Sequence, residues 1–180
     1  MSQAVAAGIS RSALYRLRDQ KVITPVSRGI YRLSELPSIS NPDLATVCLR
    51  CPKAVICLIS ALSFHGLTTQ VPHRVSIAVS RDDRLPSLDY PPIEAHRFSR
   101  EAYEAGVERH DIDGVAVKVY EPEKTIADCF KFRNKLGMDV VLEALKLYRT
   151  RGKSNGDLLL KYGRICRVDH IMKPYLESLL

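Results

Sequence analysis

The sequence predicts an α+β chain: a small helix-and-hairpin module at the N-terminus, then a larger mixed domain of helices with a small antiparallel sheet. Three observations carry this expectation. The stretch Gly8-Ile9-Ser10 turns the chain and opens a short basic helix that ends near Asp19. Two apolar runs then flank Ser27-Arg28-Gly29, as a tight hairpin requires. Beyond Pro42, an alternating run over 74–80 and a hairpin centred on Asp113-Gly114 lie among segments of helical period.

Each element has a local cause. Gly8 can take the left-handed conformation that ends a preceding helix. Ser10 can cap the next helix by accepting a backbone N–H. Within that helix Leu14 and Leu17 form an apolar stripe, and Arg11, Arg16 and Arg18 lie off it. The hairpin follows over 22–33, with Gly29 at the turn and Arg28 at its tip. A basic hairpin behind such a helix is the pattern of a winged helix-turn-helix, whose second helix enters the DNA major groove. Residues 37–42, polar and bounded by prolines, read as a linker, which gives a module over 1–36 and a domain over 42–180.

In the larger domain, Pro42 opens a helix that runs to about Cys51. A second helix is expected over 54–65, ending at Gly66. Strands follow over 74–80 and 93–98, then a short helix over 100–105. Residues 107–112 and 115–120 pair across Asp113-Gly114. Pro122 opens a helix expected to end near Gly137, and three more are predicted over 139–150, 156–166 and 169–179. Pro174 strains the last of these.

Composition narrows the function classes. With 180 residues, 46% hydrophobic and 26% charged, the chain can bury a core. No run approaches the roughly 18 apolar residues of a membrane span, and the N-terminus lacks the pattern of a secretory signal. The expectation is a cytoplasmic protein with no membrane partner. Cys48, Cys51, Cys57, Cys129 and Cys166 read as reduced, buried thiols. Cys48-Leu-Arg-Cys51, with Cys57 and His65, lacks a second pair at zinc-finger spacing, so no metal is expected. A metal nuclease fails on the carboxylates: Glu94 is followed two residues on by His96, where such sites carry Lys. No phosphate-cradling glycine loop is present. No catalytic residue and no cofactor are therefore expected.

The charge points elsewhere. The net charge is +7, and residues 1–36 hold six cations (Arg11, Arg16, Arg18, Lys21, Arg28, Arg32) against Asp19 and Glu35. This excess suits a polyanion. Ser10, Arg11, Ser12, Tyr15 and Arg16 are the candidates for base and phosphate contact, with Arg18, Arg28 and Arg32 beside them. A second polar segment spans 121–135. There Ile126 and Phe130 share one helical face, and Lys124, Asp128, Lys131 and Lys135 fall on another. It reads as a surface helix with ion pairs such as Asp128–Lys131, or alternatively as a second basic surface for DNA or RNA.

Five segments in order resemble the AbiEi-type antitoxin family: Gly8–Leu17, Val26–Leu33, Cys57–Leu67, Lys124–Asn134 and Pro174–Leu179. These are bacterial transcriptional regulators of abortive-infection toxin–antitoxin systems. The resemblance implies an antitoxin that represses its own operon by binding inverted repeats in promoter DNA. It also implies a nucleotidyltransferase-like toxin as partner, counteracted without a stable complex. Antitoxicity belongs to the family's C-terminal domain, which makes Lys124, Asp128, Lys131 and Arg133 candidates for that role. Family members carry further helical sequence before the segment matching 4–8, so the module is expected to lack its first helix. Leu14, Leu17 and Ile23 would then lose cover, which favours a homodimer. The alternative is an interaction protein that does not bind DNA. Its C-terminal domain would neutralise the toxin or bind RNA, and its helix-turn-helix would be vestigial.

Overall fold

The structure is a computed structural model that describes residues 8–27, 29–36, 39–152 and 154–178. It begins with α1 (Arg11–Asp19) and a two-stranded antiparallel ribbon, β1 (Ile23–Ser27) and β2 (Ile30–Leu33). The ribbon register pairs Ile23 with Leu33 and Thr24 with Arg32, and slips between Pro25 and Ser27. Pro25 has no N–H to donate, and a two-stranded ribbon tolerates it because both strands are edges. Gly29 has φ 78°, the conformation that the tight turn demands.

Then follow α2 (Pro42–Arg50), β3 (Val55–Ile56), α3 (Leu58–Phe64), β4 (Val75–Ser80), β5 (Ile93–Phe98), α4 (Arg100–Glu104), β6 (Val107–Ile112) and β7 (Val115–Tyr120). Five helices complete the fold: α5 (Pro122–Lys131), α6 (Arg133–Leu136), α7 (Met138–Thr150), α8 (Gly156–Cys166) and α9 (Asp169–Ser178). The class is mixed α+β. The main sheet has the order β5-β4-β3-β7-β6. Its β3–β4 and β6–β7 pairings are antiparallel, and β3–β7 and β4–β5 are parallel.

Both faces of the sheet's central strands are buried. On one side Val75, Ile77, Val79, Val117 and Val119 pack with Leu44 and Val47 of α2. On the other, Ala78, Phe98 and Tyr120 pack with Ile126 and Phe130 of α5, Val141 and Leu145 of α7, and Leu159 of α8. The period of two along β4 and β7 divides their side chains between two cores. The alternation over 74–80 therefore marks two apolar environments and no wet face, and even Ser76 is buried.

Two expected helices are corrected. The segment 54–65 is not one helix: Val55 and Ile56 form β3, and the helix starts only at Leu58. Ile56 pairs with Ile77 on one side and Val119 on the other, so two residues complete the centre of the sheet. An unpaired backbone there would leave polar groups buried, which outweighs helix propensity. The helix from Pro122 stops at Lys131, and after Phe132 the short α6 runs to Leu136 before Gly137, whose φ is 95°. The hairpin at Asp113-Gly114 stands as predicted, with positive φ at both residues (52° and 85°). Pro174 lies inside α9. None of the described helices is long and apolar enough to cross a membrane.

Candidate nucleic-acid interface

Gly8 has φ 84° and a side chain there would meet nothing, so backbone conformation alone selects glycine. The helix expected before it lies outside the described residues. Ser10 caps α1: its backbone is extended and its Oγ accepts from Ala13 N–H at 3.2 Å. The same Oγ lies 3.0 Å from Ser12 Oγ. At the other end, Val22 N–H donates to the Leu17 carbonyl and Lys21 N–H to that of Arg18, with Lys21 at φ 58°. This is a Schellman closure with Lys where Gly is usual.

One side of α1 is anchored. Leu14 is 6% exposed and Ile23, at the start of β1, is 7%. The other side is open: Ser10, Arg11, Ser12, Tyr15 and Arg16 are all exposed. At 3.6 residues per turn, Arg11, Ser12, Tyr15 and Arg16 fall within an arc of about 140° around the helix, and Ser10 stands at its N-terminal end.

The remaining sequence candidates divide. Arg18 donates from Nε and a terminal nitrogen to Asp19 Oδ1, at 3.0 and 2.8 Å, and lies 5.0 Å from the Tyr15 ring centre. The Asp19 hydrogen bond and charge raise its already high pKa. Arg32, on β2, is half-buried and donates to the Leu36 carbonyl, so it braces the segment that leaves the ribbon. Arg28 lies outside the described residues. That leaving segment is tied down further along, where the Asp113 carboxylate accepts from Ser40 N–H at 2.7 Å and Ser40 Oγ–H at 3.0 Å. These donors hold Asp113 below the usual carboxylate range.

The second candidate cluster is corrected most. Lys124 and Asp128 are not on a wet helix face; both are 0% exposed. Lys124 Nζ lies 2.6 Å from each Asp128 oxygen, 4.2 Å from the Tyr120 ring centre and 5.0 Å from that of Phe98. Cys166 Sγ–H donates to Asp128 at 3.1 Å. Burial raises the Asp128 carboxyl, and the adjacent ammonium opposes it. The pair is internal because α5 packs on the sheet on one side and on α8 on the other. Asp128 therefore pairs with Lys124, not Lys131. Lys131 is exposed, and Arg133 donates to the Phe130 carbonyl at 3.0 Å. The four residues do not form one surface.

Sequence reading missed the polar groups around this pair. Tyr162 Oη–H donates to Glu121, and Tyr148 Oη–H donates to Glu123 while accepting from Asn155 N–H. Burial and the Glu123 bond push the Tyr148 hydroxyl up to about 12. It also missed a second basic stretch. Residues 131–180 hold eleven Lys and Arg against five acids. Lys131, Lys135, Lys146, Arg149 and Arg164 among them are exposed. The thiols are as expected, since all five cysteines are free and buried.

Comparison with known families meets this geometry at the N-terminus. Residues 1–34 match the family described as transcriptional regulator, AbiEi antitoxin. The matched stretch contains all of α1 and both strands of the ribbon, hence every exposed candidate on that helix. The fold is similar to the crystal structure of the RV2827C protein from Mycobacterium tuberculosis, with a TM-score of 0.52 at 16% identity. That likeness covers 89% of this chain and 62% of the other, so the chain spans less than two thirds of its relative. At that identity the likeness concerns the fold alone. No curated protein matches the sequence.

Proposed function

We propose that the protein is a DNA-binding transcriptional repressor, the antitoxin of an abortive-infection toxin–antitoxin system in the bacterial cytoplasm. In this reading α1 and the β1–β2 ribbon are the recognition helix and wing of a winged helix-turn-helix. A homodimer places two such units on inverted repeats in the protein's own promoter. The observation that carries it is the exposed face of α1, Ser10, Arg11, Ser12, Tyr15 and Arg16, inside the stretch that matches the regulator family. The short hydroxyls let the helix approach the base edges. Arg11 and Arg16 reach bases or phosphates. No catalytic step is assigned, and neutralisation of a nucleotidyltransferase-like toxin falls to the part of the chain beyond residue 42. There Lys131 and Arg133 remain candidates for contact, while Lys124 and Asp128 act by holding α5 in place.

Titration of a labelled promoter fragment tests the reading. The native chain binds at sub-micromolar concentration, and Arg11→Ala with Arg16→Ala removes specific binding. No shift at micromolar protein would defeat it. The alternative, a toxin-directed protein that does not bind DNA, is favoured by two observations. Arg18 is paired with Asp19, and Arg32 is drawn to the Leu36 carbonyl. Under that alternative the double variant protects cells from the toxin as well as the native chain does, and neither binds the promoter.

A further inference from the structure

Strand β6 forms one edge of the main sheet and pairs only with β7 among the described strands. The hairpin fixes which way its backbone points. Ile112 and Val115 flank the two-residue turn at Asp113-Gly114, where both φ angles are positive. In such a hairpin the flanking residues exchange both hydrogen bonds, and bonded pairs then alternate along the ladder. Glu108, His110 and Ile112 therefore direct their backbone groups to β7. Those of Val107, Arg109 and Asp111 point outward, and no backbone bond meets them among the described residues.

The side chains at this edge are charged and exposed. Arg109 stands opposite Lys118 across the ladder, a like-charge pair that weakens a sheet. No carboxylate lies within salt-bridge distance of Arg109 among the described residues. Asp111 Oδ1 accepts from Gly114 N–H at 2.9 Å, and Oδ2 has no partner among the described residues.

We propose that this edge is an interface with a second copy of the chain, the two β6 strands pairing antiparallel about a two-fold axis at His110. In that register Arg109 stands opposite Asp111 of the second copy, and Asp111 opposite its Arg109. Both residues present outward backbone groups, so each pair exchanges two hydrogen bonds. Each pair also sets a guanidinium against a carboxylate. Moving the axis to Arg109 or to Asp111 would set like charges opposite each other, so charge selects the register. The contact is isologous and joins two five-stranded sheets into one, leaving no open edge at β6. It supplies the contact for the homodimer of the repressor reading; only its use on inverted repeats rests on that reading.

A strand edge buries less than the roughly 1,600 Å² of a standard interface, so the dimer is weak. Sedimentation velocity is therefore run on the full chain without DNA, from about one to several hundred micromolar. The expected result is a dimer that grows with concentration. Arg109→Asp and Asp111→Arg each set like charges opposite and weaken it at least tenfold, with the circular dichroism unchanged. Mixing these two variants restores a dimer, because their reversed charges complement each other, and so does the double variant Arg109→Asp/Asp111→Arg. Asp111→Arg also removes the acceptor of Gly114 N–H, so His110→Cys gives an independent reading. Treated with diamide, it forms a disulfide-linked dimer across the axis, where partners that are not hydrogen-bonded approach closely. A monomer throughout the range, a dimer indifferent to both charge reversals, or variants that stay monomeric on mixing overturns the interface. Promoter binding by a chain that stays monomeric defeats the interface alone. A dimer that never binds the promoter keeps the interface and defeats the repressor reading.

Discussion

Two short amphipathic helices, α1 and α5, carry similar mixtures of charge and apolar residues and meet opposite fates. In α1, nine residues long, Leu14 is the buried residue. In α5, ten residues long, eight are buried, including Glu123, Lys124 and Asp128. The difference lies in what surrounds each helix. A charge faces water when the helix packs on one side only. It must find an internal partner when layers close on both sides, because an isolated ion in the interior costs several kcal/mol. The first arrangement suits recognition of a charged partner. The second fixes the register of α5 against β5, β7 and α8.

The largest effect should come from breaking the internal pair. Lys124→Met leaves the buried Asp128 carboxylate without its counter-ion, with only the Cys166 thiol as donor, and should cost about 3–5 kcal/mol in urea unfolding. The double variant Lys124→Met/Asp128→Leu should recover most of that. If Lys124→Met alone unfolds like the native protein, the contrast between the two helices is wrong. A smaller loss is expected at Gly106, where φ is 68° and an added Cβ would lie 2.7 Å from Lys124 Cβ. Gly106→Ala combines left-handed strain, of roughly 1–3 kcal/mol, with contact against the same lysine.

A gentler probe is pH. Burial lowers the pKa of both His65, whose Nε2 meets the Tyr120 carbonyl at 2.7 Å, and His96. Each is held neutral in the folded state while the unfolded chain takes up a proton near pH 6.5. Stability is thus full above that pH and declines as pH falls toward the lowered folded values. Unfolding followed from pH 8 to pH 5.5 should show this slope, and His96→Phe should flatten it. A flat native profile would place both rings in water.

Much of this was readable in the sequence, and the misses share a cause. Gly8, Ser10, Gly29 and Asp113-Gly114 announce their turns through backbone chemistry within a few residues. Val55-Ile56 announces nothing, because it is a strand only through Ile77 and Val119, brought to it from distant parts of the chain. The spacing of Lys124 and Asp128 foretold two charges on one face of a helix, but nothing local says that α8 and the sheet close over that face. The exposed candidates on α1 were legible for the opposite reason: a helix with Leu14 as its one buried residue follows its own pattern.

The claim that α1 presents its charges to a nucleic acid is tested most directly by the salt dependence of promoter binding. The account predicts an affinity that falls linearly with salt on logarithmic axes. The slope should shrink by about one for Arg11→Ala and again for Arg16→Ala, as each phosphate contact is lost. The same slope for native and variant proteins, or binding indifferent to salt, would contradict it.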